Sequence, residues 1–195
     1  TPETFTGLQP RLNALAQQNV IGQGHTHSTG NTSVYIVSWA PTKVHMIYPR
    51  GSKSMGISHR DLGEVTVHTG SALHGNSSLA MFQAYRDHFS MKAGLCVRDE
   101  RCIARLANID FTGGTATIQL DEDNLIKLLN YMPMRGAGSV LYMERNLMAS
   151  FDIMAKDKTN VFYQPGAPFG APQVTFRGHT IHMCDQLSTS ETGVA

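Results

Sequence analysis

Asp121-Glu122-Asp123-Asn124-Leu125-Ile126-Lys127-Leu128-Leu129-Asn130-Tyr131-Met132-Pro133 carries the clearest structural signal in the chain. Leu125, Leu128, Leu129 and Met132 recur at the i, i+3, i+4, i+7 spacing that lines one face of an α-helix. Asp121 precedes an acidic first turn, which suits the positive end of the helix dipole, and Pro133, lacking an N–H, ends the helix. Gly136 and Gly138 then turn the chain into Ser139-Val140-Leu141-Tyr142-Met143, a short apolar strand. Asn146 is placed to cap a second helix with Leu147, Phe151 and Met154 on one face. A strand feeding a helix predicts a layer of helix on sheet.

Upstream, Val34-Tyr35-Ile36-Val37-Ser38-Trp39 and Val44-His45-Met46-Ile47-Tyr48 are β-branched and aromatic, and with Pro41 and Thr42 between them they read as an antiparallel hairpin. Pro49 and Gly51 break the second strand, and the Ser, Gly and Lys rich run to Gly63 reads as a contact loop before Glu64-Val65-Thr66-Val67 resumes a strand. Gly70 to Ser78 is loop-like. From Phe82 to Ile109 a β block follows, broken at Gly94, with Arg98 to Ala107 compatible with strand or helix, and Gly113 and Gly114 end it. Near the C-terminus, Val174-Thr175-Phe176 and His179 to Met183 flank Arg177-Gly178, a two-residue hairpin turn. The first 23 residues hold a weak helical patch around Leu12, Leu15 and Ala16 and read as a surface connection. The sum is an α+β chain with mixed or antiparallel sheets and a few helices. It divides into a connecting segment 1–33, a β-rich region 34–115 and an α/β region 116–195 with a C-terminal hairpin.

With 195 residues the chain can bury a core without staples. Sixteen Lys and Arg against fifteen Asp and Glu leave no global field for nucleic acid or an anionic membrane, so any polyanion binding must be local. Charged residues are 16% of the chain, below the roughly 25% of an ordinary domain, which predicts a surface spent largely on neighbours. Cys96, Cys102 and Cys184 are of the wrong number for a disulfide framework and read as reduced thiols. On one continuous strand, Cys96 and Cys102 would lie roughly 20 Å apart, beyond the ~7 Å a bridge allows. No run approaches the ~18 apolar residues of a membrane span, and the start at Thr1 reads as a cut from something longer.

The nine histidines raise metal or acid–base chemistry. His182 and Cys184 share one strand face while His179 takes the other, so the three cannot close a tetrahedral site without a bend, and His25 and His27 read as a solvated loop pair. There is no Cys-x-x-Cys, no Gly-x-Ser-x-Gly and no phosphate loop; Gly136-Ala137-Gly138 lacks a third glycine and leads into a strand. Arg98-Asp99-Glu100-Arg101 with Arg105 fits a solvated edge or an ionic contact between subunits equally well. The sequons at Asn31 and Asn76 carry no weight without secretion. No residue is assigned a catalytic, cofactor-binding or metal-binding role; a metal- or thiol-dependent enzyme using the histidines and cysteines stands as the competing class.

Five ordered segments go further. Ile47-Tyr48-Pro49-Arg50-Gly51-Ser52-Lys53, Asp61-Leu62-Gly63-Glu64-Val65-Thr66, Phe82-Gln83-Ala84-Tyr85-Arg86-Asp87-His88-Phe89, Lys92-Ala93-Gly94-Leu95-Cys96-Val97-Arg98-Asp99 and Arg105-Leu106-Ala107-Asn108-Ile109 together resemble the major capsid proteins of short-tailed double-stranded-DNA bacteriophages. Thr4 to Leu8, Phe176-Arg177-Gly178 and Asp185-Gln186-Leu187 fit the same family, whereas Glu100-Arg101 stands where an aromatic-containing pair is expected. The resemblance implies the Hong Kong 97-type capsid fold, with 34–115 peripheral-like and 116–195 axial-like, and a chain that lacks the N-terminal arm, extended loop and spine helix of the family. It implies a structural, non-enzymatic subunit without cofactor. Its partners would be copies of itself in pentamers and hexamers, scaffolding, portal and cement proteins, and packaged DNA on the inner face. Its place would be the virion, and the host cytoplasm during assembly; a decoration or tail-interface protein of related fold is a further alternative. Arg50, Lys53, Asp61, Arg86, Asp87, Arg98, Asp99 and Arg101 are the candidate subunit contacts. Met148, Met154 and Met183 suit irregular gaps.

Overall fold

The computed structural model describes residues 6–24, 29–50, 57–69, 80–111, 120–157 and 175–195. The chain separates into two compact units, one made of Thr1–His45 with Leu95–Ala195 and the other of Met46–Gly94.

The first unit is built on a six-stranded sheet. Its strands are β1 (Val20–Gly22), β2 (Asn31–Ser38), β7 (Ile103–Asp110), β8 (Ser139–Met143), β9 (Thr175–Phe176) and β10 (His179–Met183), in the order β1-β7-β2-β8-β10-β9. The β1–β7 and β8–β10 pairs are parallel, and β2 runs antiparallel to both of its neighbours. Every residue of β2 is buried, as in a central strand covered on both faces. One face meets two helices, α1 (Glu122–Tyr131) and α2 (Arg145–Asp157): Val34, Ile36, Leu106 and Leu141 lie in one cluster with Leu125, Leu128, Leu129, Leu147 and Phe151. The other face carries Tyr35, Val37, Ile103 and Ala107, covered by Leu12, Val20, Val44 and Cys102 with Leu187 and Val194 packed alongside.

The helical stripe at Leu125, Leu128, Leu129 and Met132 is buried as its spacing requires, and the Asp121 carboxylate accepts the Asp123 N–H at 3.0 Å. For α2 the cap is Glu144 rather than Asn146. Glu144 Oε2 accepts the N–H groups of Asn146 and Leu147 at 2.6 and 3.2 Å, because α2 already begins at Arg145, ahead of the start that a cap at Asn146 would give it. Met148 and Met154 pack against the core as expected of gap fillers; Met183 is exposed. The turn at Arg177-Gly178 has φ of 51° and 84°, the left-handed pair of a two-residue hairpin.

Two readings are corrected. The strands at 34–39 and 44–48 are not a hairpin: β7 and β8 occupy both edges of β2, which leaves β3 (Val44–Ile47) to pair with β6 (Gly94–Val97). The 1–33 segment is more than a connection, for β1 is an edge strand and Leu12 and Val20 belong to the core. The six-stranded sheet takes strands from both sides of residue 115.

The second unit is dominated by a ribbon of two long antiparallel strands, β4 (Ile57–Thr69) and β5 (Ala80–Met91). β4 begins at Ile57, seven residues before the Glu64 start expected from sequence, and a bulge between Asp61 and Glu64 shifts the register. Gly63 fills that bulge with φ of 65°, and its N–H donates to Asp61 Oδ1 at 2.7 Å. The loops expected at 51–56 and 70–78, with Gly113 and Gly114, His25, His27 and Asn76, lie outside the described residues.

Candidate subunit-contact surfaces

On an antiparallel ribbon, directly paired residues share a face. Asp61 pairs with Asp87, Glu64 with Tyr85 and His59 with Phe89, so three carboxylates and two aromatic rings occupy one side. Arg60 pairs with His88, and Arg86 alternates with Asp87, so the bases occupy the other. Opposed aspartates repel, and the ribbon offsets this in part: His59 Nε2 lies 3.3 Å from Asp87 Oδ1 and its ring stacks on Phe89 at 4.4 Å. Tyr85 is 85% exposed and Phe89 69% exposed. A two-stranded ribbon is marginal in water by itself, and large exposed aromatic side chains are the residue types that anchor protein interfaces.

Of the expected contact residues, Asp61, Arg86 and Asp87 thus lie together on the ribbon, Asp61 and Asp87 on one face and Arg86 on the other. Arg50 is exposed after β3, and Lys53 lies outside the described residues. Asp99 and Arg101 form a local pair in the first unit: the guanidinium donates through Nε and Nη2 to the two carboxylate oxygens at 3.1 and 3.0 Å, and Asp99 Oδ1 also accepts the Arg101 N–H at 3.0 Å. The Arg101 side-chain bonds, then its backbone N–H, hold the Asp99 carboxyl below the ordinary aspartate range. Arg98 is exposed beside this pair. The eight candidates therefore do not form one patch within a unit.

Arg105 departs from the solvated-edge reading. It is 2% exposed and sits in the core between Ala104 and Leu106. Its guanidinium donates to Glu191 Oε2 at 2.9 Å, Ser33 Oγ at 3.0 Å and the Leu12 carbonyl at 2.6 Å, and lies 5.4 Å over the Tyr35 ring. Glu191 also accepts from the Ser33 hydroxyl and, at 3.3 Å, from Tyr35. Burial, opposed by the Arg105 charge and reinforced by the charge and hydrogen bond of Glu191, leaves the Tyr35 phenol far above its ordinary range. This network ties the N-terminal segment, β2, β7 and the C-terminal segment together. Sequence could have hinted at it, because Arg105 interrupts an otherwise apolar run from Ile103 to Ala107; its distant partner Glu191 had no local signal. The same segment is held by Asn108, whose side chain exchanges bonds of 2.8 and 2.7 Å with the Val194 backbone. Asn108 adopts a φ of 57° at a register shift between β2 and β7, a conformation asparagine tolerates.

All three thiols are unbridged; Cys102 is buried, and desolvation, followed by the Asp99 charge, pushes its pKa up. Among the described residues no three His, Cys, Asp or Glu side chains converge as a metal site, and no helix is long and apolar enough to cross a membrane.

Comparison with known proteins supplies the family. The model of the family described as "Major capsid protein GP7" matches residues 1–195. No curated protein matches. Among solved structures, a chain of the near-atomic-resolution cryo-EM structure of bacteriophage Epsilon15 superposes with a TM-score of 0.54 at 27% identity, covering 100% of this chain and 59% of that one. The chain therefore spans about three fifths of the Epsilon15 chain it matches, and its sheets and two helices have the Hong Kong 97-type fold. The chain belongs to the GP7 family of phage major capsid proteins.

Proposed function

We propose that this chain is the compact body of a capsid subunit that associates with copies of itself into an icosahedral shell around a phage genome. The observation that carries the reading is the family match along the whole chain. The physical character of the surface supports it: near-zero net charge lets subunits lie side by side without repulsion, and the ribbon exposes aromatic anchors on its acidic face with bases on the opposite one. In this reading the ribbon, within the peripheral-like span 34–115, contacts neighbouring subunits through Asp61, Arg86 and Asp87, with Arg50, Lys53, Arg98, Asp99 and Arg101 as further contacts. The helices and β8 to β10 carry the axial-like role. Pentamers and hexamers, scaffolding, portal and cement proteins, DNA on the inner wall and assembly in the host cytoplasm complete the proposal. The subunit has a structural role and no catalysis.

The test is charge reversal on the ribbon. Asp61→Lys/Asp87→Lys makes both faces basic and should abolish assembly of the complete gene product, measured by light scattering and negative-stain microscopy, with the monomer still folded by circular dichroism. Normal shells from that variant would contradict the role of the ribbon. Failure of the unaltered gene product to assemble, with its scaffolding partner present, would contradict the shell itself.

A further inference from the structure

We infer that the groove between the C-terminal end of α1 and the β9–β10 turn is a local phosphate site for the backbone of double-stranded DNA. Two adjoining hollows of about 500 and 480 Å³ are both bounded by Arg135, Arg177 and His179. Lys127 lines the first, and among the described residues no Asp or Glu lines either. Neither guanidinium has an acidic or hydrogen-bonding partner among the described residues, in contrast to Arg101, Arg105 and Arg145, which each hold a carboxylate; Arg11 and Arg98 share that unpaired state but do not border this groove. The α1 C-terminus contributes about half a negative charge at most, against three full cations.

The backbone supplies a second, independent observation. Arg135 has φ of 54° and Arg177 φ of 51°, left-handed conformations that a side chain with a Cβ rarely adopts. Asn is the natural occupant before glycine in a turn such as Arg177-Gly178, yet both positions carry arginine, and both arginines border the same groove. Left-handed backbone at two of the cations that border the hollow, and at Met134 beside them with φ of 53°, is strain of the kind that clusters at binding sites. The floor suits close approach: a Cβ added at Gly138 or Gly178 would meet nothing within 4 Å.

The character of the lining favours phosphate over a protein partner. Among the described residues no Phe, Tyr or Trp borders the groove, so it lacks the large aromatic anchor that protein interfaces favour, although Ile126, Leu129, Met134, Ala137 and Val140 also line it. Interfaces with DNA are instead polar and strongly basic. A local site is also the only kind that a chain of net charge +1 can offer. The source of the DNA rests on the shell reading; the groove chemistry does not.

The test uses unassembled protein and a fluorescent duplex of about 20 base pairs, followed by anisotropy against salt. Three cations predict a log–log slope near −2.7, so affinity falls about 40-fold between 50 and 200 mM salt. Arg135→Asn/Arg177→Asn should flatten the slope to about −0.9 while the melting temperature holds or rises, since Asn accepts both left-handed positions. Arg177→Lys should keep the wild-type slope. An unchanged slope in the double Asn variant, absence of duplex binding at 50 mM salt, or a melting temperature that drops with binding would overturn the inference. So would preferential binding of a polyglutamate peptide, which would assign the groove to protein carboxylates. Microscopy separates the two claims: the double Asn variant should still form shells, and a wild-type gene product that forms none counts against the shell while leaving the duplex isotherm readable.

Discussion

Removing the carboxylate of Glu191 leaves the Arg105 guanidinium charged, 2% exposed and without its acid partner. Breaking a buried pair from one side costs about 3–5 kcal/mol, far more than an exposed pair is worth, because the remaining charge has lost both water and counter-charge. Ser33 and Tyr35 lose an acceptor at the same time. Glu191→Ala is therefore expected to destabilise the first unit by about 3–5 kcal/mol, a large share of the ~5–15 kcal/mol typical of a domain. With a urea m-value of about 2 kcal/mol/M, the midpoint falls by about 1.5–2.5 M. Intrinsic fluorescence and far-ultraviolet circular dichroism read the transition. The paired change Arg105→Met/Glu191→Leu removes both charges and should recover most of the loss, leaving the smaller cost of the Leu12 carbonyl and Ser33 without their donor. A midpoint shift below about 0.5 M for Glu191→Ala, or a double variant as unstable as the single, would refute the reasoning.

Leu128→Ala should cost about 2–5 kcal/mol and Lys127→Ala under about 0.5 kcal/mol in the same denaturation assay, because only the leucine faces the sheet. Alkylation of native protein without reductant should reach the partly exposed Cys96 and Cys184 ahead of Cys102, whose thiol is buried with a raised pKa; all three should label after denaturation, and a persistent bridge would contradict this. The Asp99 carboxyl should titrate below the ordinary aspartate range by NMR and move up toward it in Arg101→Ala. Because its folded pKa is depressed, its contribution is present above the unfolded pKa and fades as pH falls through the folded one.

How much of this was legible depends on the range of the interaction. The α1 stripe, the strand β8 and the Arg177-Gly178 turn were readable because each is specified within a few residues, by periodicity or by turn chemistry. Strand pairing was not: β2 is equally apolar on both faces, so nothing in it distinguishes a local partner in β3 from the distant β7 and β8. Arg105 was misread for the same reason. A run of mixed charges from Arg98 to Arg105 resembles a solvated edge until Glu191 arrives from 86 residues away to neutralise one member of it. On the ribbon, the family resemblance offered Asp61, Arg86 and Asp87 without their placement: their division between two faces needed the register, which a bulge at Gly63 shifts.

The central claim is that this chain builds a shell, and cryo-electron microscopy of the complete gene product, produced with its phage scaffolding partner, tests it most directly. The expected result is closed particles whose repeating density contains the six-stranded sheet with two helices on one face and the β4–β5 ribbon against a neighbouring subunit. Discrete monomers under every assembly condition, or shells in which both faces of the ribbon stand clear of all neighbours, would contradict it.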